Sequence, residues 1–332
     1  MPNLDLRYAI GVDLGGTKIE MGVVDATGHI LDGMRLHTEV EDGPIAVQER
    51  LIKGIHALQS GTGVPLSGIG IGVAGQIELN SGSVTFAPNL KWNNIPLKAN
   101  IEKIVQIPVG IFNDVRAIAL GEWLYGAGKG YQDILCVFIG TGIGAGIVSG
   151  GRLMTGSSNT FGEVGHMTID LNGPICTCGK QGCFEAIAGG WGIAARAQEA
   201  IQTDKSGSRS QCLLEIARGN INEVNAKTVV EGYRRGDSMA KEVIHHMQKA
   251  LIHGLASLVN LYNPSRLILG GGLVDGIPEI VSMIEKGIRE ISLQAATQSM
   301  DVVKGRLGKE VGVVGSAAAI FHLLNQSEGA LE

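Results

Sequence analysis

Long apolar runs, basic clusters and charge in general are scarce in this 332-residue sequence, and each scarcity removes a class of function. The longest apolar run, Ile134–Val148, is broken by four glycines and Thr141, which suits a tight hairpin better than a membrane span. No Lys/Arg-rich run occurs. With 27 basic residues against 32 acidic, the net charge of −5 argues against a nucleic-acid-binding surface. The first residues, MPNLDLRYAIGVDLG, lack a basic region leading into an apolar stretch, so no secretory signal is expected. Only 18% of residues are charged while 44% are hydrophobic, the balance of a compact globular chain rather than a disordered one. These absences predict a soluble, cytoplasmic protein with neither membrane nor nucleic-acid partners.

At this length the chain exceeds one comfortable core, so two domains are expected. Fifty glycines, about twice the average usage, are read as turn residues. Two segments look alike: YAIGVDLGGTKIEMGVVDATGHI at 8–30 and ILCVFIGTGIGAGIVSGGRL at 134–153. Each reads as strand, glycine turn with a threonine, strand, turn, strand, and their repetition suggests a duplicated domain. Apolar residues at 45, 47, 51, 52, 55 and 58 have helical spacing. Strands are expected at 69–73, 109–112 and 267–269, and helices at 114–123, 185–201, 238–262 and 315–324. The domains are placed at 1–122, completed by a C-terminal helix in 315–332, and at 123–314, which contains a cysteine loop at 166–185.

The turn Asp13-Leu14-Gly15-Gly16-Thr17-Lys18 joins two strands, which excludes both a P-loop and a Rossmann turn, since each opens a helix. Successive backbone amides in such a turn can still hold phosphate, with Thr17 as a hydroxyl donor and Asp13 placed to hold Mg²⁺ through water. An ordinary hairpin would use the same glycines. The second turn, Gly140-Thr141-Gly142, favours phosphate, because two such hairpins clamp a polyphosphate. Gly270-Gly271-Gly272 allows close approach of a flat adenine or is simply a helix-entry turn. Asn113 and Asp114 lie where a strand meets a helix. There they are either a helix cap or, at the carboxyl end of a strand in an open α/β sheet, a ligand site with a base.

Three of the five cysteines, Cys176, Cys178 and Cys183, fall within eight residues, with His166 ten residues upstream. Three thiolates and an imidazole make a closed tetrahedral zinc set, which holds structure rather than activating water. A redox pair or small buried residues are the plainer alternatives.

Together these residues resemble the ROK family of sugar kinases and related repressors, within the superfamily of actin, hexokinase and the heat-shock ATPases. The resemblance rests on DLGGTK at 13–18, APNLKW at 87–92, FND at 112–114, GTGIGAG at 140–146, EVGH at 163–166 and CTCGKQGCFE at 176–185. It implies an α/β fold of two duplicated actin-like ATPase (ribonuclease H-like) domains around an interdomain cleft, with a zinc-binding loop. It further implies transfer of the γ-phosphoryl group of ATP, with Mg²⁺, to the 6-hydroxyl of a hexose. Asp114 becomes the base, and Gly75, Asn89, Asn113, Asp114, Glu163, His166 and Glu185 become sugar partners. Asp13, Gly15, Gly16, Thr17, Lys18, Gly140, Thr141, Gly142, Gly270, Gly271 and Gly272 become the ATP and Mg²⁺ set. His166, Cys176, Cys178 and Cys183 become ligands of a structural Zn²⁺. A homodimer or homotetramer is also implied.

Glucose is the expected substrate, on the pairing of Glu163 and Glu185 with His166. N-acetylglucosamine, N-acetylmannosamine and fructose stay open as alternatives, as does inorganic polyphosphate as donor. Repressors of the family carry a helix-turn-helix ahead of the first hairpin. Here the first strand starts by about Tyr8, so a catalytic member is expected rather than a sugar-sensing repressor.

Overall fold

The structure is a computed structural model that describes residues 7–329, with side chains as far as Gln326. Contacts group the described residues into two compact units. One contains 7–131, 146–162 and 305–329, the other 132–145 and 163–304.

The first sheet opens with the hairpins β1 (Tyr8–Leu14), β2 (Lys18–Asp25) and β3 (Ile30–His37). Helix α1 (Gly43–Thr62) leads into β4 (Leu66–Val73). A small antiparallel sheet follows, of β5 (Gln76–Ile77), β6 (Val84–Ala87) and β7 (Trp92–Ile95). Then come α2 (Leu97–Val105), β8 (Val109–Asn113) and α3 (Asp114–Leu124). The main sheet runs in the order β3-β2-β1-β4-β8, antiparallel through the hairpins and parallel from β1 to β4 to β8. The carboxyl ends of β1, β4 and β8 therefore lie at one edge, where open α/β sheets bind ligands.

Both faces of this sheet are covered. Ile10, Val12 and Leu14 alternate onto the side where Val47, Leu51, Ile55 and Leu58 of α1 pack. Ile45, expected in that helical stripe, is instead 73% exposed. The opposite face receives the last helix, α12 (Val311–Gly329), through Ala9, Val24, Val313, Ala317 and Ile320. Gly11 and Gly70 lie directly under that helix. A Cβ at either would overlap the backbone carbonyl of Val313 or Ser316. These two glycines, read from the sequence as turn-forming, instead allow close helix-on-sheet approach within strands. Glu122, buried in α3, accepts backbone amides from Ala127 (2.8 Å), Arg306 (3.0 Å) and Leu307 (2.9 Å).

The second sheet repeats the first. Its strands are β9 (Ile134–Ile139), β10 (Ile143–Ser149), β11 (Arg152–Leu153), β12 (Arg266–Gly270) and β13 (Asp301–Lys304), in the order β11-β10-β9-β12-β13. Strand β12 is parallel to β9 and β13, matching the parallel half of the first sheet. The duplication expected from the two hairpin segments is present in strand order and direction.

Helices α4 (Phe184–Ala188), α5 (Gly190–Thr203), α6 (Gln211–Ile216), α7 (Ala226–Arg234) and α8 (Ser238–Tyr262) lie between β11 and β12. Helices α9 (Gly272–Gly276), α10 (Ile280–Ile291) and α11 (Gln294–Thr297) precede β13. The single helix expected over 185–201 is broken at Gly189, which is extended (φ −74°, ψ 162°). A Cβ at 189 would lie 2.7 Å from the carbonyl oxygen of Glu185, so a tight turn separates α4 from α5.

Candidate active site

The first glycine turn is a hairpin, as its sequence predicts. Gly15 N donates to Lys18 O at 3.0 Å, and the buried Thr38 steadies the turn by donating its hydroxyl to Gly15 O at 2.7 Å. Gly16 packs on Asn89, where a Cβ would come within 2.6 Å of Asn89 O. A side chain at 16 would therefore displace the protein's own loop before reaching a ligand. Thr17 and Lys18 are exposed, and the Lys18 ammonium pairs with Glu20.

Asp13 stands one residue before the end of β1. Burial, then the negative charges of Asp114 and Glu20, push its carboxyl up to about 6, against the opposing pull of Lys18. Two carboxylates this close repel each other in the absence of a cation, and a divalent ion would remove that repulsion. The residues present fit Mg²⁺ chemistry: oxygen donors, one of them strained by its neighbour's charge.

At the end of β8 the two adjacent polar residues divide their tasks. Asn113 is the helix cap, accepting the Arg116 amide at 3.1 Å, and its Nδ2 donates to Gly75 O at 3.4 Å. Asp114 is the first helical residue, with Oδ1 accepting the Val115 amide at 2.9 Å. A carboxylate in the first turn is favoured in its ionised form by the helix dipole. Asn89, Gly75, Asn113, Asp114 and Asp13 all belong to the first unit.

In the second unit, Gly140-Thr141-Gly142 joins β9 to β10. Gly270 packs on the Phe138 ring, and Gly271 (φ +96°) caps α9. A Cβ at Gly140 or Gly272 would meet nothing within 4 Å. Glu163 precedes a 3-10 turn ending at His166, and both side chains are exposed. Glu185 is half-buried: Oε2 accepts the Ile143 amide at 2.8 Å and Oε1 accepts the Trp191 indole at 3.0 Å. Trp191 and Thr38 were not among the residues expected here. Neither carries a motif, and both act through contacts with the turns that the motifs supply.

The cysteine loop gathers its four expected ligands. One donor atom each from His166, Cys176, Cys178 and Cys183 lies within 4.8 Å of every other. Cys176 Sγ is 3.7 Å from His166 Nδ1, and Cys178 Sγ is 3.7 Å from Cys183 Sγ. The loop is a miniature sheet, with bridges Thr168–Cys183 and Ile175–Gln181. Gly179 (φ +83°) and Gly182 (φ +74°) supply the left-handed residues that its turns require. Burial, followed by the Cys178 and Cys176 thiols, pushes the Cys183 thiol up to about 12. The Lys180 backbone amide draws Cys178 down. A bound cation reverses such thiol crowding by stabilising thiolates. The donor set and spacing suit zinc.

Among the described residues, no helix is long and apolar enough to cross a membrane. The ROK family profile matches residues 9–322. The glucokinase of Streptomyces coelicolor is 33% identical over 313 residues, covering 94% of this chain and 97% of that protein. The xylose repressor of Bacillus spizizenii is 31% identical over 331 residues, covering 97% of this chain and 79% of that protein. Among solved structures, a ROK family glucokinase from Streptomyces griseus in complex with glucose and AMPPNP matches with a TM-score of 0.80 at 32% identity. That match covers 94% of this chain and 98% of the other. The fold is that of the actin-like sugar kinases, and these similarities favour a kinase within a family that also includes repressors. Residues 9–322 take in both glycine hairpins, the β8–α3 junction and the cysteine loop, and the chain belongs to the ROK family.

Proposed function

We propose that this protein is an ATP-dependent hexose kinase that transfers the γ-phosphoryl group to the 6-hydroxyl of glucose. The observation that carries the proposal is the carboxylate pair at one edge of the first sheet. Asp114, at the first position of α3, lies near enough to Asp13 to raise its carboxyl.

Phosphoryl transfer asks little covalent chemistry of a protein, only alignment, charge neutralisation and a base. Asp114 accepts the proton of the attacking hydroxyl, whose oxygen bonds to the γ-phosphorus as ADP leaves. Asp13 would hold Mg²⁺, which would supply charge neutralisation on the phosphate oxygens. The amides of the Gly15–Thr17 and Gly140–Gly142 turns hold phosphates, and Gly270–Gly272 admits the adenine. Asn89, Asn113, Glu163 and His166 bind sugar hydroxyls. His166, with Nδ1 toward the Cys176 thiol, would hold a structural zinc together with Cys176, Cys178 and Cys183, and the metal would fix the ring's orientation for a sugar hydroxyl at Nε2.

Similarity to a glucokinase whose structure contains glucose and AMPPNP supports glucose and ATP as substrates. Similarity to xylose repressors favours, as a second reading, a sugar sensor without catalysis. One assay separates them: ADP release with ATP, Mg²⁺ and a panel of hexoses, repeated with inorganic polyphosphate as donor. Rapid turnover with glucose is expected. Sugar binding by calorimetry, without turnover on any hexose or donor, would favour the sensor.

A further inference from the structure

Asn159 is buried in the segment after β11, and both ends of its side-chain amide are used. Oδ1 accepts Nη1 of the buried Arg116 at 2.7 Å, and Nδ2 donates to the carbonyl of Ile77 at 2.9 Å. Its backbone is left-handed (φ +58°), a conformation that asparagine tolerates better than most side chains. A buried guanidinium is costly unless its N–H groups meet acceptors, so this pairing fixes the direction in which Arg116 points.

These bonds belong to a closed ring. Arg116 N donates to Asn113 Oδ1 at 3.1 Å, and Asn113 Nδ2 donates to Gly75 O at 3.4 Å. Gly75 immediately precedes β5, and Ile77 ends it. The ring therefore runs from Asn113 through Arg116, Asn159, Ile77 and Gly75 back to Asn113, entirely within the first unit. One half of it is the β8–α3 junction, where Asp114 sits between Asn113 and Arg116. The other half is β5, which β6 also seats, since a Cβ at Gly75 would come within 2.6 Å of Phe86 O. The Asn113 amide spends one lone pair and one N–H on the ring, which leaves one of each for a ligand hydroxyl.

We propose that Arg116 and Asn159 are positioning residues for the sugar: through this ring they set the Asn113 amide and the Gly75 segment in the geometry that receives a hexose. Neither needs to touch the sugar itself. The inference rests on Asn113 and Gly75 being sugar partners, and it holds for a kinase and for a sugar sensor alike.

The test is calorimetry of glucose and, separately, of Mg²⁺-AMPPNP on wild type, Asn159→Ala, Arg116→Met and the double variant, with a melting temperature for each. Asn159→Ala opens the ring at two bonds, and glucose affinity is expected to fall by about tenfold or more while AMPPNP affinity stays within about twofold. Arg116→Met keeps the length of the stem, opens the ring at one bond and gives a loss of similar size. A ring already opened has little left to lose, so the double variant binds glucose within about twofold of the weaker single variant. Arg116→Lys, a single point donor in place of a planar fork, falls between wild type and Arg116→Met. Asn159→Asp keeps the acceptor for Arg116 but sets a carboxylate oxygen against Ile77 O. It should weaken glucose in the same direction, and it serves if the alanine variant does not fold. Folded variants that bind glucose within about twofold of wild type, losses shared equally by glucose and AMPPNP, or losses that simply add in the double variant overturn the proposal alone. Wild-type protein that binds AMPPNP but no glucose overturns the glucose site as well.

Discussion

The Sγ atoms of Cys178 and Cys183 lie 3.7 Å apart, as do Cys176 Sγ and His166 Nδ1. Zinc bonded tetrahedrally at about 2.3 Å sets its sulfurs about 3.8 Å apart, so metal enters this loop with little rearrangement. Protein purified without chelator is expected to hold about one zinc per chain by elemental analysis. Cys178→Ser should lower that content, reduce the melting temperature by about 5 °C or more and raise the KM for sugar. A zinc-free, fully stable wild type would refute the assignment.

Asp114→Asn tests the proposed base with the helix cap left in place, because Asn113 performs the capping. Loss of general-base help is expected to lower kcat by about 10²–10⁴-fold. Glucose affinity and melting temperature should change little. A kcat within about threefold of the parent would return Asp114 to a structural role.

Space around the turn glycines identifies the informative phosphate-site variant. Gly16→Val would push on Asn89, confounding loop damage with ligand loss, whereas a Cβ at Gly140 meets no protein atom within 4 Å. Gly140→Ala is therefore expected to keep its melting temperature while the KM for ATP rises by about threefold or more. An unaltered KM for ATP in a well-folded variant would make this turn only a turn.

Asp13 links activity to stability. Its carboxyl titrates at about 6 in the folded protein, above the ordinary 3.8. The folded state thus binds that proton more tightly than the unfolded chain does. Ionisation opposes folding above about pH 6, and the opposition fades as pH falls toward about 4. Asp13→Asn, uncharged throughout, should raise ligand-free stability by up to about 2–3 kcal/mol at neutral pH, with the gain disappearing near pH 4. ATP turnover should fall. Denaturation curves showing the same stability difference at both pH values would contradict this account.

What the sequence made legible was local. Both hairpins, the β8–α3 junction and the cysteine loop each depend on residues close in the chain, so spacing and turn chemistry revealed them. Long-range contacts left no such trace. The requirement for glycine at 70 comes from Ser316, and the requirement at 142 comes from Glu185. Glu122 reads as one acidic residue of a helix, yet its oxygens hold amides at 127, 306 and 307. The apolar stripe of α1 was legible except at its first position, Ile45, where the helix has only begun and the side chain stays in water. The split at Gly189 was hidden because alanine and glycine around it allow either one helix or two.

Helix α12 has a temporal consequence. It covers strands β1 and β4, yet it is the last element of the described chain. At synthesis rates of about 5–20 residues per second, roughly 10–50 s separate the emergence of β4 from that of α12. Throughout that interval the glycine-lined face of the first sheet lacks its own helix and offers a groove to any other. Completion of the first sheet is therefore gated by a helix made long after its strands. Truncation there should leave a long-lived species that is captured by chaperones or aggregates, even though every proposed catalytic residue has already been made.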